Sequence, residues 1–295
     1  MKNTVFKGMA TAMVTPMTPH GVDYDALGRL IEFQIEQGIN ALVAVGTTGE
    51  SATLSPEERK AVIAFTVRQV NGRVPVIAGT GTNNTQHVLE FTKSACGDGA
   101  DAVLVVTPYY NKATQKGLIA HYTAVADVSE KPVIMYSVPS RTGCTLLPDT
   151  VAELSHHPMI AALKDANGNM DMTVETIAKC EGRLDVYSGD DPVTVPMLSM
   201  GAMGCISVLS NVMPKQAVEM CDRFFTGDIA GAAALQCKML PLIRCLFSEV
   251  NPIPAKAAVS AMGFGQEYLR MPLSKLEDGH RAALMAELRK QGVIQ

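Results

Sequence analysis

Lys164 closes the apolar run Ile160, Ala161, Ala162, Leu163, which reads as a buried strand, and Asp165-Ala166-Asn167-Gly168 reads as the loop after it. An ammonium ion at the end of a buried strand is costly unless it finds a partner or sheds its charge. Burial favours a neutral amine, and a neutral amine can attack a carbonyl carbon to form a Schiff base. The plain alternative is a lysine that reaches the rim and pairs with Asp165 or another acid. Two phenols, Tyr110 and Tyr136, stand at the ends of apolar runs, and one guanidinium, Arg141, follows Pro139-Ser140 on what reads as a rigid loop. A phenol can relay protons, and a guanidinium can grip a carboxylate through two parallel bonds. Core aromatics and a surface or interface ion pair are the plain readings of these three.

Eight short apolar runs are spaced along the chain as strands: 10–15, 41–45, 75–78, 102–106, 133–136, 160–163, 184–187 and 205–209. They lack the polar alternation of a half-exposed sheet, as expected of parallel strands covered on both faces. Amphipathic segments separate them. Residues 25–37 place Leu27, Leu30, Ile31 and Ile35 on one face; Ser55 caps a helix with Pro56 first and Glu57-Glu58 in its first turn; Pro148-Asp149 opens another. Eight alternations predict an α/β fold, a closed (β/α)8 TIM barrel, with a doubly wound open sheet as the alternative. Residues 214–225, 229–247, 254–262 and 280–291 read as helices. The expected division is a barrel over 1–225 carrying the active site and a C-terminal helical extension over 226–295 packed against it.

In such barrels, chemistry gathers at the C-terminal ends of the strands. Gly46-Thr47-Thr48-Gly49-Glu50-Ser51, Gly79-Thr80-Gly81-Thr82-Asn83, Thr107-Pro108-Tyr109-Tyr110-Asn111, the stretch from Tyr136 to Gly143, Lys164, and Ser188-Gly189-Asp190-Asp191 all fall there. Gly79 and Gly81 start a dinucleotide fingerprint that fails at Asn84, and Gly46-Thr47-Thr48-Gly49 lacks the Gly-Lys of a phosphate loop. Hydroxyls and backbone amides in such a turn can cradle a carboxylate, though an ordinary strand–helix turn has the same composition.

Composition removes other classes. The 295-residue chain is 47% hydrophobic, lacks Trp and carries a formal charge of −4 without a basic stripe, which disfavours disorder and nucleic-acid binding. Its seven cysteines are odd in number and form no C-x-x-C pair, which predicts a reducing, cytoplasmic setting rather than disulfides or a zinc ribbon. His156-His157, before Pro158, make a poor metal site, and no metal is expected. Residues 192–214 are uncharged over a membrane-spanning length but broken by Pro196, Gly201 and Gly204, so they read as a helix, a turn and a strand. The N-terminus shows no signal-peptide pattern.

Taken together, Gly46-Thr47-Thr48-Gly49-Glu50-Ser51, Pro108-Tyr109-Tyr110-Asn111, Tyr136-x-Val138-Pro139-Ser140-Arg141-Thr142-Gly143 and Leu163-Lys164-Asp165-Ala166 resemble the dihydrodipicolinate synthase family of class I pyruvate aldolases. The likeness runs from Met13-Val14-Thr15-Pro16 to Asn251-Pro252-Ile253-Pro254 and Leu269-Arg270-Met271-Pro272. It implies a Lys164 Schiff base with pyruvate and condensation with L-aspartate 4-semialdehyde, in diaminopimelate and lysine biosynthesis. Thr47, Tyr110 and Tyr136 would relay protons, with Tyr110 supplied across a tight-dimer interface. Thr48 and its neighbours would hold the pyruvate carboxylate, Arg141 the carboxylate of the second substrate, and Gly189 and Ile206 would line the pocket through main-chain groups. The resemblance also implies a homotetramer built as a dimer of dimers, and no cofactor. Neither a nucleic-acid nor a membrane partner is expected.

Two departures stand out. Ser137 replaces the family's common Asn, with an expected loosening of the support around Tyr136. Ser51, Ala52, Asn83 and Tyr109 suit the family's lysine-feedback site, but lysine-sensitive bacterial members carry His where this chain has Arg59 and Glu where it has His87. An added cation and a lost acid predict a degenerate site. The competing readings are another pyruvate aldolase, such as N-acetylneuraminate lyase, disfavoured by Arg141, and a non-catalytic small-molecule sensor on the same fold, disfavoured by the presence of Lys164 and Tyr136.

Overall fold

The computed structural model describes residues 4–295. Eight parallel strands close into a barrel, each followed by a helix. The strands are β1 (Gly8–Ala12), β2 (Ala41–Ala44), β3 (Val76–Gly79), β4 (Ala102–Val106), β5 (Val133–Ser137), β6 (Ile160–Asp165), β7 (Asp185–Ser188) and β8 (Gly204–Ser207). The helices after them are α1 (Tyr24–Glu36), α2 (Pro56–Val70), α3 (Thr85–Gly97), α4 (Gln115–Val128), α5 (Pro148–Leu154), α6 (Met170–Cys180), α7 (Thr194–Ser199) and α8 (Pro214–Phe225). Three more follow: α9 (Ile229–Leu246), α10 (Ile253–Ala261) and α11 (Asp278–Lys290). A small antiparallel hairpin, Met17–Thr18 with Gly21–Val22, leads into α1. The closed order, with β1 joined to both β2 and β8, rules out the open-sheet alternative.

Two apolar layers follow from strand parity, because successive side chains point to opposite faces. The inward positions include Ala10, Ala12, Val43, Ile77, Leu104, Ile134, Ala162 and Ile206, so small alanines alternate with aliphatic residues inside the ring. Phe6 and Tyr187 stack within it, ring centres 4.2 Å apart, and the Tyr187 hydroxyl donates to Phe6 O at 2.6 Å. The outward positions pack under the helices in a second core that runs on through Leu242, Leu246, Leu284 and Leu288 of the extension. Helix α9 is long and apolar enough to cross a membrane by length and composition, but it carries Pro241 in its interior, and Met239, Leu242, Ile243 and Leu246 are buried in that core.

Helix starts follow local chemistry. Ser55 caps α2 as expected, with Pro56 in the first turn, and closes a reciprocal capping box with Glu58. Strand ends depart from expectation. The first strand lies over Gly8–Ala12 rather than 10–15, and the last stops at Ser207 because the Asp191 carboxylate captures the amides of Val208 and Leu209 at 2.9 and 3.1 Å. Strand β6 runs two residues past the apolar run, through Lys164 and Asp165. Asp165 is therefore not the loop residue that its sequence suggests. It stays in the sheet because Thr173 Oγ1 (2.7 Å), Asn167 N (3.0 Å) and Asn167 Nδ2 (2.8 Å) donate to its buried carboxylate.

Candidate active site

Register and parity put Lys164 inside the barrel mouth. Ala162 faces inward, so Lys164, two residues on, does too, with Tyr136 beside it on β5 and Tyr187 on β7. Lys164 is 6% exposed, and its Nζ lies 4.3 Å from the centre of the Tyr136 ring. Among the described residues no carboxylate lies within ion-pair distance of it. Asp165 points the other way, into the Asn167–Thr173 cluster, so the pairing with Asp165 that the sequence left open is not made. Burial raises the Asp165 carboxyl above the usual carboxylate range, against the pull of those donors.

Around Lys164 lies a cavity of about 290 Å³ lined by Thr47, Thr48, Tyr136, Arg141, Gly189 and Val208, among others. Thr47 and Thr48 arrive on the β2–α2 loop. This loop begins with Val45 at φ 58, a conformation that costs a β-branched residue on the order of 1–3 kcal/mol and is held only where its surroundings impose it. Gly79 makes room for it, since a Cβ there would fall 2.1 Å from Val45 O. Thr48 Oγ1 accepts from Asn251 Nδ2 at 2.9 Å. Gly189 is the other glycine that matters: a Cβ would lie 3.0 Å from Lys164 Cε and 2.9 Å from Ala166 Cβ, so the lysine stem occupies the space that glycine leaves.

Arg141 does not sit on the expected rigid loop. Pro139 instead starts a single helical turn, Pro139–Thr142, ended by Gly143 at φ 64. The exposed Arg141 guanidinium donates from Nη2 to Asn251 O at 3.2 Å and faces the cavity. Ser137 Oγ accepts from Leu146 N at 3.4 Å, so the hydroxyl serves the β5–α5 connection.

Two expected site residues do not line this cavity. Ile206 is sealed in the inner core, because β8 ends one residue after it, and Val208 lines the wall instead. Tyr110 is 90% exposed at φ 70, turned out of its own chain's cavity. The candidate lysine-feedback residues lie in one neighbourhood, Arg59 being close to Tyr109 and, with His87, to Phe91. Ser51, Ala52 and Tyr109 line a second, more apolar cavity of about 290 Å³ that also touches Thr47 and Arg141. Asn83 O accepts from Asn111 Nδ2 at 2.9 Å, and His87 stands beside Phe91. Arg59 lies under Phe91, 4.2 Å from the ring centre, and donates to Gly79 O at 3.2 Å; burial pulls it down to about 10.

Residues that sequence reasoning did not place at the mouth are Asn251, Asn167 and Phe247, while Asp190 lines the cavity as expected. Burial, then the neighbouring Asp191, raises the Asp190 carboxyl. Glu249, Glu277 and His280 are close enough to hold a metal ion, but Glu249 is already the acceptor for Glu277 N (3.0 Å) and His280 Nδ1 (2.8 Å) at the start of α11.

Residues 5–291 match the Dihydrodipicolinate synthetase family. The chain belongs to that family. It is 49% identical over 292 residues to a 4-hydroxy-tetrahydrodipicolinate synthase of Lachnoclostridium phytofermentans, covering 98% of this chain and 99% of the relative, and 47% identical over 290 residues to one of Geobacter sulfurreducens, covering 98% and 100%. Among solved structures, dihydrodipicolinate synthase from Thermotoga maritima superposes with a TM-score of 0.97 at 40% identity, covering 99% of this chain and 100% of that one. The chloride-inhibited enzyme from Acinetobacter baumannii, solved with pyruvate, gives 0.96 at 45% identity, covering 99% and 100%.

Proposed function

We propose that this protein is a 4-hydroxy-tetrahydrodipicolinate synthase that condenses pyruvate with L-aspartate 4-semialdehyde. The observation that carries the reading is a buried lysine, with no carboxylate at ion-pair distance among the described residues, in a cavity that also presents a phenol, two threonines and a guanidinium. Lys164 Nζ adds to the pyruvate carbonyl carbon, and water leaves as the imine forms. The protonated imine withdraws electrons, so the methyl group loses a proton and an enamine results. The enamine carbon attacks the aldehyde carbon, and the aldehyde oxygen takes up a proton. The amino group of the second substrate then attacks the imine carbon, closes the ring and releases Lys164. No step requires a metal or an organic cofactor.

Proton transfers at two distinct atoms call for a relay, which we assign to Tyr136, Thr47 and Tyr110. Thr48 and the loop amides hold the pyruvate carboxylate; Arg141 takes the carboxylate of the semialdehyde, with Gly189 giving Lys164 its room. Tyr110 reaches the site only from a neighbouring subunit. An aromatic residue held at φ 70 and 90% exposed is in a conformation that a partner's cavity would repay. We therefore propose a tight dimer that pairs into a homotetramer. Seven free cysteines support a cytoplasmic setting. Residues 226–295 are proposed as an extension that braces the mouth through Asn251.

The test is borohydride trapping with pyruvate, read by intact mass, alongside pyruvate consumption with L-aspartate 4-semialdehyde. Wild type is expected to gain one reduced pyruvate adduct and to consume pyruvate; Lys164→Ala is expected to do neither. A folded wild type that forms no adduct would refute the reading, and an adduct without consumption would point to another aldehyde acceptor.

A further inference from the structure

The loop that carries Thr47 and Thr48 is gripped from behind by two charged side chains with almost no access to water. Glu50 adopts a left-handed backbone at φ 57, and its side chain is 0% exposed; Lys256, from α10, is 2% exposed. Glu50 Oε1 accepts from Lys256 Nζ, and Oε2 accepts from Arg270 N at 3.3 Å. Arg270 continues the network, donating to Thr53 O at 2.8 Å and to both oxygens of Glu58 at 2.5 Å. Burial pulls the Lys256 ammonium down, and Glu50 holds it up.

A buried ion pair is a poor device for stability, since well-packed apolar residues commonly do as well or better. What it can supply is a fixed position: a buried carboxylate with one ammonium partner cannot slide without stranding a charge. In this loop the position of Glu50 is passed on directly. Glu50 N donates to Thr47 O at 3.1 Å, Gly49 N to Gly46 O at 3.0 Å, and Thr15 Oγ1 to Gly49 O at 2.8 Å, so Thr47 and Thr48 move with Glu50. Resting on the Lys164 reading above, we propose that Glu50 and Lys256 form a positioning pair, by which the C-terminal extension sets the Thr47–Thr48 donors at the distance a substrate carboxylate requires.

The experiment measures the pyruvate concentration that gives half-maximal borohydride trapping, together with KM and kcat. Lys256→Met leaves Glu50 stranded, so the deciding variant is Glu50→Gln/Lys256→Met, which buries no charge. Leu284→Ala, in α11, serves as a variant destabilised by a cavity away from the loop. The expected result is a rise of tenfold or more in half-saturation and in KM for pyruvate in the double variant, with kcat within about threefold of wild type. Leu284→Ala is expected to melt earlier with half-saturation unchanged. A folded double variant that traps pyruvate at wild-type concentrations overturns the proposal, as does an equal rise in Leu284→Ala. Failure of wild type to form any adduct would instead overturn the Lys164 reading.

Discussion

Gly189→Ala tests how tightly the barrel mouth holds Lys164. Gly189 has an ordinary backbone conformation, so the substitution adds one methyl group without backbone strain. That methyl would stand 3.0 Å from Lys164 Cε and 3.1 Å from Cγ, where ordinary contact begins at 3.4 Å. Ala166 Cβ, at 2.9 Å, closes the other side. The lysine stem must therefore give by about 0.4 Å or more, toward the Tyr136 ring that already lies 4.3 Å from Nζ. Crowding of this kind costs about 1–3 kcal/mol. Taking 1–2 kcal/mol of it in the approach of Nζ to the carbonyl, at about 1.4 kcal/mol per factor of ten, imine formation should slow by roughly 5- to 30-fold. The assay is the rate of adduct capture in rapid-quench trapping, with melting temperature followed in parallel. Gly279→Ala, in the first turn of α11 with no heavy atom within 4 Å of the new Cβ, should change neither. A Gly189→Ala enzyme that captures pyruvate within twofold of the wild-type rate would refute the account of a lysine confined by glycine.

Arg141→Met should raise KM for the semialdehyde by about 10- to 100-fold, the loss of a charge-assisted hydrogen bond of about 1.5–3 kcal/mol, and leave pyruvate trapping within twofold; an equal loss of trapping would show that Arg141 serves the first substrate. Millimolar L-lysine should change activity by less than twofold, because Arg59 and His87 stand where sensitive relatives carry His and Glu; a several-fold fall would restore the feedback site. His121 is buried, its Nε2 lacks a hydrogen-bond partner among the described residues, and burial pulls it down to about 4. The unfolded chain binds a proton there below pH 6.5 while the fold refuses it, so stability is full above 6.5, falls toward pH 4 and levels off below. The loss attributable to this residue is up to about 3 kcal/mol, and His121→Met should flatten the melting-temperature profile across that window; an unchanged slope would assign the acid sensitivity to other groups.

All eight strands are legible as apolar runs because a parallel strand covered on both faces carries few polar residues away from its ends, Thr11 of β1 being one. The ends are not, because polar side chains that are satisfied in place extend or stop a strand without an apolar signal. Asp165 lengthens β6 by accepting three hydrogen bonds, and Asp191 shortens β8 by taking two amides out of line. The same limit hides Val208, which lies beyond the end of β8 and lines the cavity wall. It also explains Arg141, where a proline at the first position makes a helical turn of an expected loop. The Glu50–Lys256 pair joins residues 206 positions apart, which no local pattern reports. One cue is present: Lys256 is the sole charge in the run Ile253–Ala261, and a lone charge in an apolar helix must be either exposed or paired.

Strand parity decides between the two fates open to Lys164, a solvated ion pair and a buried amine. With Ala162 and Ile134 facing inward, a strand that ended at 163 would leave Lys164 on a loop, free to turn to solvent. Extending β6 through Asp165 commits Lys164 to the interior, beside Tyr136 and opposite the loop of Thr47 and Thr48. The acid next in sequence, which offered the plain alternative of an ion pair, is the group that makes this commitment: its hydrogen bonds hold the strand in register, and strand parity then turns its carboxylate away from the amine. Asp165→Ala should therefore act on Lys164 through geometry. It removes the acceptor for Thr173 and Asn167, frees the end of β6, and should lower both the trapping rate and the melting temperature, whereas Asp165→Asn, which keeps one acceptor oxygen, should recover part of each. A variant that loses stability while trapping pyruvate at the wild-type rate would show that Lys164 needs no strand to hold it.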